Sequence, residues 1–179
     1  TNLICVRCDA SLEEGWFYEG AGIYRHVWLE KTSPLHVTTG GTFVHCTLSD
    51  NYTKAHVTIE TEVCNDGNSA LPAYSVEHQI IDADGNVVAE AKAAGEALLA
   101  REKHTSAAVC DVVNPALWDT ENPNLYNVVT KICLDGKVVD EFTTRTGFRE
   151  IVLDKDKGFF INGKHLKLKG FNCHQDHAG

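Results

Sequence analysis

Regular alternation of apolar and polar residues between positions 35 and 148 constrains the fold most strongly. A period of two places successive side chains on opposite faces of a β-strand. Asp-Gly dipeptides at 66–67, 84–85 and 135–136 interrupt the alternation and are typical of tight turns between strands. Many short strands with regular turns predict an all-β chain, folded as an antiparallel β-sandwich. We expect strands at 35–38, 42–49, 54–64, 71–82, 86–92, 103–113, 125–134 and 137–147.

The same alternation predicts the core. The side chains expected to face inward share one parity within each strand: Phe43 or Val44, Cys46, Leu48, Val57, Ile59, Val63, Tyr74, Val76, Ile80, Val128, Ile132, Val138 and Phe142. His78 falls on the inward face of its strand. Because buried polar groups are nearly always hydrogen-bonded, we expect His78 to be a hydrogen-bonded core residue rather than a ligand.

Two segments do not follow the alternation. Residues 89–101 are alanine-rich around Gly95, and their period leaves a short helix and a strand followed by a loop both open. Residues 114–118, Asn-Pro-Ala-Leu-Trp, are expected to form a turn of 3₁₀ helix. That turn would close one end of the sandwich with Leu117 and Trp118.

The segment from Gly158 onward predicts a hairpin that ends in polar residues. Phe159, Phe160 and Ile161 lead to Asn162-Gly163, a strong hairpin signal because both residues tolerate positive φ. The chain returns as a strand at 165–169, with two leucines on one face and two lysines on the other. The polar run Asn-Cys-His-Gln-Asp-His follows at 172–177. So many hydrogen-bonding side chains after a strand suggest one wall of a site.

The first thirty residues contain two further strand-like runs, at 3–8 and 24–29, and Ser33-Pro34 acts as a hinge after them. The sequence contains no methionine and begins within a strand-like run. We therefore expect a piece of a longer protein. Bacterial periplasmic, secreted and cytoplasmic locations stay open.

Three stretches resemble glycoside hydrolase family 2, in its β-galactosidase branch. Gly158–Lys164, followed by Lys169-Gly170, Asn172, His174, Asp176 and His177, resembles the hairpin and first strand of the family's TIM barrel. Residues 114–118 and 121–126, NPALW and ENPNLY, resemble its immunoglobulin-like domain. Residues 16–29 resemble the close of its sugar-binding jelly roll. The three stretches follow the order of the family.

The resemblance implies a domain organisation. Residues 1–32 would be the C-terminal end of the jelly roll, 33–148 an immunoglobulin-like β-sandwich, and 149–179 a β-hairpin and the start of the catalytic barrel. It also favours a strand followed by a loop at 89–101. We thus expect an all-β, immunoglobulin-like sandwich with strand or hairpin tails on both sides.

The resemblance also implies which residues contact substrate. His174 would end the first barrel strand and hydrogen-bond the sugar, and Asn172, Asp176 and His177 would support the rim of the pocket. Barrel active sites lie at C-terminal strand ends, which agrees with this assignment. A galactoside would bind only in the parent enzyme.

No catalytic residue is expected within these 179 residues. Retaining glycoside hydrolysis needs two carboxylates about 5–5.5 Å apart. In the family both are glutamates well beyond the polar run, and neither motif is in this sequence. The parent is expected to hydrolyse terminal β-galactosides with retention, whereas this chain by itself should be inactive. The alternatives are a β-glucuronidase or another family 2 parent, or a stand-alone carbohydrate- or protein-binding sandwich.

Charge and hydropathy limit the kinds of binding partner that the chain can have. The formal net charge of −9 argues against a nucleic-acid partner, because phosphate binding needs a basic surface. No apolar run approaches the length of about 18 residues that spans a membrane. Apolar residues in the tails on both sides of the sandwich predict a homodimer that covers them.

The seven cysteines predict neither disulfides nor a metal site. Cys5 and Cys8 are three apart, so they face opposite sides of a strand. Cys64 and Cys133 are expected to point outward from opposite sheets, as free thiols. Cys173, His174 and His177 offer three ligands without a fourth. We therefore expect no metal and no cofactor.

Overall fold

The computed structural model describes residues 3–8, 22–23 and 25–172. The chain forms two compact units. The larger comprises Lys31–Lys167, and the described part of the smaller comprises 3–8, 22–23, 25–30 and 168–172. All regular elements in the described residues are β-strands. No helix in this part of the chain is long and apolar enough to cross a membrane.

Seven strands of the larger unit form two antiparallel sheets. One sheet has the order β1 (Leu35–Ser49), β2 (Lys54–Asn65), β5 (Lys103–Val113). The other has the order β4 (Val87–Gly95), β3 (Tyr74–Ile81), β6 (Tyr126–Leu134), β7 (Lys137–Thr146). Side chains from both sheets share the core clusters, which makes the two sheets a sandwich. The predicted all-β, immunoglobulin-like sandwich is confirmed.

A three-stranded sheet follows the sandwich. Its order is β10 (Lys164–His165), β9 (Gly158–Ile161), β8 (Ile151–Asp154). The strand predicted at 165–169 is shorter than expected. Its last bond runs from the Leu166 backbone N–H to the Phe159 carbonyl at 2.9 Å, one residue after the start of β9. Beyond this bond only Gly158 of β9 is left for the return strand to pair with.

Residues 89–101 form a strand and a loop, as the resemblance indicated. β4 ends at Gly95, and the chain continues without a helix to β5. Gly95 pairs with Tyr74, and a Cβ at this glycine would overlap the Tyr74 ring. The glycine therefore allows β4 to reach the end of β3, which explains the break in the alanine run.

The core consists of two apolar clusters separated by a band of buried polar side chains. One cluster includes Val63, Val76 and Ile132, and the other includes Ile59, Ile80 and Val128. Between them, on the same inward faces, lie Thr61 of β2, His78 of β3 and Thr130 of β6, all buried. Ser106 of β5 pairs with Thr61 and is also buried.

His78 is the largest member of this band and is 2% exposed. Its Nδ1 atom lies 3.0 Å from the Thr130 hydroxyl, which confirms the predicted hydrogen-bonded core histidine. Among the described residues Nε2 has no hydrogen-bond partner. Burial lowers the pKa of His78 from 6.5 to about 4, because a charged imidazole would lose its hydration here.

The structure decides one open alternative for the core and corrects one assignment. Phe43 is 60% exposed, whereas Val44 packs against the core. Val138 is 54% exposed and was wrongly assigned to the core. The pairing of β6 with β7 shifts between Ile132 and Cys133, so that Val139 lies in a bulge and packs inward instead. A bulge reverses the facing of the residues beyond it, and alternation along one strand does not reveal it.

Residues 114–118 do not form the expected 3₁₀ turn. Their backbone donors bind elsewhere: Ala116 N–H donates to the Tyr126 hydroxyl at 2.8 Å, and Trp118 N–H donates to the Phe148 carbonyl at 2.9 Å. Pro115 has no N–H to contribute to a helical turn. Leu117 nevertheless packs against the core, as predicted.

The smaller unit has no regular strand in its described residues. The strands expected at 3–8 and 24–29 are therefore not formed there. A strand needs a neighbour that accepts and donates its backbone hydrogen bonds. Leu3, Ile4, Val27, Trp28 and Leu29 are exposed instead.

Candidate functional site

Only one of the four predicted substrate-contacting residues belongs to the described part of the chain. Asn172 is exposed and lies beyond β10. His174, Asp176 and His177 lie outside the described residues, so their substrate contacts stay a prediction. The structure does describe the junction that joins the sandwich to the three-stranded sheet leading toward them.

The Asn162-Gly163 turn forms the centre of this junction. Both residues have positive φ, 47° and 73°, as the hairpin signal predicts. The Asn162 side chain accepts a hydrogen bond from Glu150 N–H at 2.9 Å and donates one to the Trp118 carbonyl at 3.0 Å. Its backbone N–H donates to the Glu150 carbonyl at 3.0 Å. The turn is thereby attached to two separate segments of the chain.

Trp118 forms the sandwich side of the junction. A Cβ at Gly147 would lie 2.8 Å from the Trp118 Cβ, so only glycine allows this close approach. The Arg149 guanidinium lies 4.8 Å from the centre of the Trp118 ring, within the range of a cation–π contact. The Trp118 backbone binds Phe148, which is fully buried. The end of β7 and the 114–118 segment are thus packed as one block.

A strained turn reaches the junction from the other sheet. Asp50, Asn51 and Tyr52, between β1 and β2, all have positive φ. Positive φ is unfavourable for tyrosine, by about 1–2 kcal/mol. The Tyr52 hydroxyl donates to Glu150 Oε2 at 2.7 Å, and this hydrogen bond raises the pKa of Tyr52. A Cβ on Gly163 would lie 2.9 Å from the same hydroxyl oxygen.

A cleft of about 440 Å³ lies beside the junction. It is lined by Val44, His45, Cys46, Leu125, Arg145, Thr146, Gly147, Phe148, Arg149 and Ile151. No carboxylate lines this cleft, so it cannot supply the acid and base of a glycosidase. Burial raises the pKa of the Cys46 thiol, which Arg149 partly opposes, so Cys46 is not an activated nucleophile.

One group of metal-ligating side chains occurs in the described part of the chain. The ligand atoms of His36, Cys64 and Asp66 all lie within 4.8 Å of one another. Burial, and secondarily the charge of Asp66, raises the pKa of the Cys64 thiol. The sequence analysis compared Cys64 only with Cys133 and did not associate it with His36 or Asp66.

The described cysteines Cys5, Cys8, Cys46, Cys64, Cys110 and Cys133 are all free, which confirms the prediction for these six. Cys173 lies outside the described residues. Cys64 is buried but belongs to neither core cluster and contacts His36 instead. Its side chain therefore occupies the outer face, as predicted.

Sequence reasoning also missed the parts of the junction that carry no motif. Glu150 and Tyr52 link the turn to the sandwich, and neither stands out in the sequence. The available signal was the pair of motifs at 114–118 and 158–164, whose tryptophan and asparagine contact each other.

The fold and the junction define a class: an immunoglobulin-like sandwich that carries a short sheet on its C-terminal side. Residues 35–149 match the model of glycosyl hydrolases family 2. The chain belongs to this family.

Relatives in the family include both galactosidases and glucuronidases. A β-galactosidase of Bacteroides ovatus is 37% identical over 176 residues, which cover 98% of this chain and 20% of the relative. A β-glucuronidase of Formosa agariphila is 35% identical over 168 residues, 88% of this chain and 17% of the relative. The chain thus spans about a fifth of the length of these relatives.

Solved structures agree with the sequence relatives. A family 2 member from Bacteroides cellulosilyticus superposes with a TM-score of 0.76 at 36% identity, covering 86% of this chain and 21% of that structure. A β-glucuronidase of Bacteroides uniformis superposes with a TM-score of 0.75 at 31% identity, covering 90% of this chain and 20% of that structure.

Proposed function

We propose that the chain provides the non-catalytic immunoglobulin-like domain of a β-galactosidase-like enzyme that releases terminal β-galactosides with retention. The observation that carries this proposal is the junction: Trp118 of one family motif and Asn162-Gly163 of another are hydrogen-bonded into one unit. In the proposed enzyme, residues 1–32 close the sugar-binding jelly roll and residues 149–179 open the barrel.

The proposed role of the domain is to position the barrel, because the junction lacks catalytic carboxylates but fixes the direction of the chain. Its cleft contains no carboxylate, and the resemblance to the family implies that the two catalytic glutamates come from the barrel. The hydrogen bonds of Asn162 fix the direction in which the chain leaves the sandwich. In the proposed enzyme, His174, with Asn172, Asp176 and His177, would end the first barrel strand and contact the galactoside. A displacement of about 1 Å at such a residue is enough to lower the rate strongly.

A β-glucuronidase parent is the second candidate. Relatives of both specificities match nearly the whole chain at similar identity, 37% and 35%. A domain that only positions the barrel would be compatible with either sugar, since the contacts that select the sugar lie in the barrel pocket.

A chimera tests the proposal. The 179 residues would replace the corresponding segment of the Bacteroides ovatus β-galactosidase, and in parallel that of the Formosa agariphila β-glucuronidase. We expect each chimera to hydrolyse the aryl glycoside of its host, and the separate chain to hydrolyse neither. The Asn162→Ala substitution in each chimera should lower kcat more than it raises KM. Gln79→Ala, at a half-buried position of β3 outside the junction, serves as the matched control; it removes one side-chain hydrogen bond, to Glu90.

Three outcomes would contradict the proposal. The separate chain could show turnover that follows the folded protein through purification. A chimera could fold but lack activity on both glycosides. The galactosidase chimera could acquire glucuronidase activity, which would place sugar selection in this chain.

A further inference from the structure

Three metal-ligating side chains, one from β1 and two from the end of β2 and the residue after it, meet on the outer face of the β1–β2 pair. His36 of β1 lies directly opposite Cys64 of β2 in the antiparallel register. Asp66 follows Cys64 by two residues, and its N–H donates to the Pro34 carbonyl at 2.8 Å, so the ladder continues to this position. Opposite residues and residues two apart share a face of a sheet. The backbone therefore places all three side chains together.

The distances agree with a small tetrahedral ion. Cys64 Sγ lies 3.4 Å from His36 Nε2, and His36 Nε2 lies 3.9 Å from Asp66 Oδ2. A tetrahedral zinc ion, with a Zn–S bond of about 2.3 Å and Zn–N and Zn–O bonds of about 2.0–2.1 Å, separates its ligands by about 3.3–3.6 Å. The sulfur–nitrogen distance already falls in this range. The carboxylate has to move closer to both other ligands, since its ligand atom lies 3.9 Å from the nitrogen and within 4.8 Å of the sulfur. Its side chain is 60% exposed and also lies 4.0 Å from the Arg101 guanidinium, with which the ion would compete.

Burial leaves one side of the group open. Cys64 is 5% exposed and the His36 side chain 13%, whereas Asp66 faces the solvent. Two ligands on the outer face of the sheet are thus covered by neighbouring residues and the third faces the solvent, which can supply water as a fourth ligand. Two cationic side chains lie nearby: Lys103 pairs with Glu62 at 3.0 Å, and the Arg101 guanidinium lies 4.0 Å from the Asp66 carboxylate, so the ion would compete with Arg101 for this carboxylate.

The ligand set favours zinc over other common cations. A thiolate with an imidazole and a carboxylate is a mixture that Zn²⁺ binds well. Mg²⁺ and Ca²⁺ require oxygen ligands throughout, and only one of the three side chains offers oxygen. Zinc binding would also compensate the burial of Cys64, since the ion replaces the proton of the thiol.

We propose that His36, Cys64 and Asp66 bind one zinc ion, with water in the fourth position. The ion would fasten the beginning of β1 to the end of β2, where the chain enters the sandwich. This site is independent of glycoside hydrolysis and lies within the larger unit.

The test measures zinc binding to the full chain under reducing conditions. Cys5, Cys8 and Cys173 are first replaced by serine, so that their thiols cannot contribute. Equilibrium dialysis with Zn²⁺, and titration with Co²⁺ monitored through its thiolate charge-transfer absorption, give stoichiometry and ligand type. We expect one equivalent of metal, a cobalt–thiolate band, and a melting temperature that rises with zinc concentration.

Substitutions then assign the ligands. Cys64→Ser should abolish the cobalt–thiolate band, and His36→Ala should weaken zinc binding at least tenfold. Asp66→Asn is exposed and nearly isosteric, so it should keep the fold and still weaken binding severalfold. Cys133→Ser removes a half-buried thiol on the other sheet and should change neither signal. Circular dichroism of each variant verifies folding.

The proposal is overturned if the serine background binds no zinc. It is also overturned if the cobalt–thiolate band persists in Cys64→Ser, or if a folded Asp66→Asn and His36→Ala both bind as tightly as the background. Loss of the band in Cys133→Ser with retention in Cys64→Ser would assign the ion to the other sheet and refute it equally.

Discussion

Acidification below pH 6.5 should destabilise the sandwich through one buried histidine. His78 lies at 2% exposure in the polar band between the two apolar clusters, with a single hydrogen bond to Thr130. Its pKa is lowered from 6.5 to about 4 by burial. The folded protein therefore keeps this imidazole neutral over a range of pH in which the unfolded chain protonates it. Between pH 4 and pH 6.5 the unfolded state binds more protons, so the free energy of unfolding falls as the pH falls.

The magnitude follows from the two pKa values. A difference of about 2.5 units corresponds to about 3.4 kcal/mol once the pH is below both values. At pH 5 the same linkage gives a loss of about 2 kcal/mol relative to pH 7.5. Because a domain of this size is stabilised by about 5–15 kcal/mol, this loss is measurable without unfolding the protein.

Urea denaturation followed by circular dichroism, at intervals from pH 5 to pH 7.5, measures the effect. His78→Asn removes the titrating group and should abolish most of the decrease toward pH 5. Thr130→Val is the matched control, because it removes the hydrogen-bond partner but keeps the histidine. This variant should be less stable at every pH and retain the decrease. A wild-type stability that is flat across this range, or an equal decrease in His78→Asn, would refute the reasoning.

Four further predictions concern the junction, the thiols and the smaller unit. Gly147→Ala should destabilise the chain by about 1–3 kcal/mol in urea, because the new Cβ overlaps Trp118; Gly170→Ala, with open space around it, is the control and should change little. Asn162→Ala removes two side-chain hydrogen bonds and should cost a similar amount, seen also as faster proteolysis after residue 149. A thiol titration of the denatured, unreduced protein should count seven thiols, and five with Cys64 linked to Cys133 would contradict the strand facing. Sedimentation at several concentrations should show self-association through the exposed apolar residues near Trp28, reduced in Trp28→Ser; a monomer throughout would contradict it.

Local sequence signals were sufficient to predict the sandwich. Alternation and Asp-Gly turns depend on residues that are adjacent in the chain, and they place strands such as 103–113 and 54–64 within one residue of those in the structure. The inward facing of His78 follows from the same parity. Val138 shows the limit of this alternation as a predictor of burial. The bulge opposite Ile132 is a property of two paired strands and cannot be read from either one alone.

The 114–118 segment shows a second limit. Its composition is compatible with a helical turn, and in an isolated peptide only its own backbone and water would accept hydrogen bonds from its N–H groups. In the folded chain the Tyr126 hydroxyl and the Phe148 carbonyl accept them instead. Tertiary hydrogen bonds override a short local preference whenever the segment lies between two packed elements.

The metal-ligand group and the junction, which the sequence did not reveal, both depend on contacts between residues far apart in the chain. His36 and Cys64 are 28 residues apart, and they meet only because β1 pairs with β2 so that these two positions are opposite. A shift of one residue in that pairing would place Val63 opposite His36 and turn Cys64 and Asp66 to the other face of the sheet. The junction depends on a different long-range contact, in which the Asn162 side chain reaches the Trp118 carbonyl across 44 residues without strand pairing between them. Register is strongly specified here because the opposite face of β2 carries Val57, Ile59 and Val63, all fully buried. Burial of one face of β2 thus fixes the register, and the register determines which side chains meet on the opposite face. The apolar pattern of the sequence therefore predicts the sheet, whereas the group of His36, Cys64 and Asp66 becomes visible only in the paired strands.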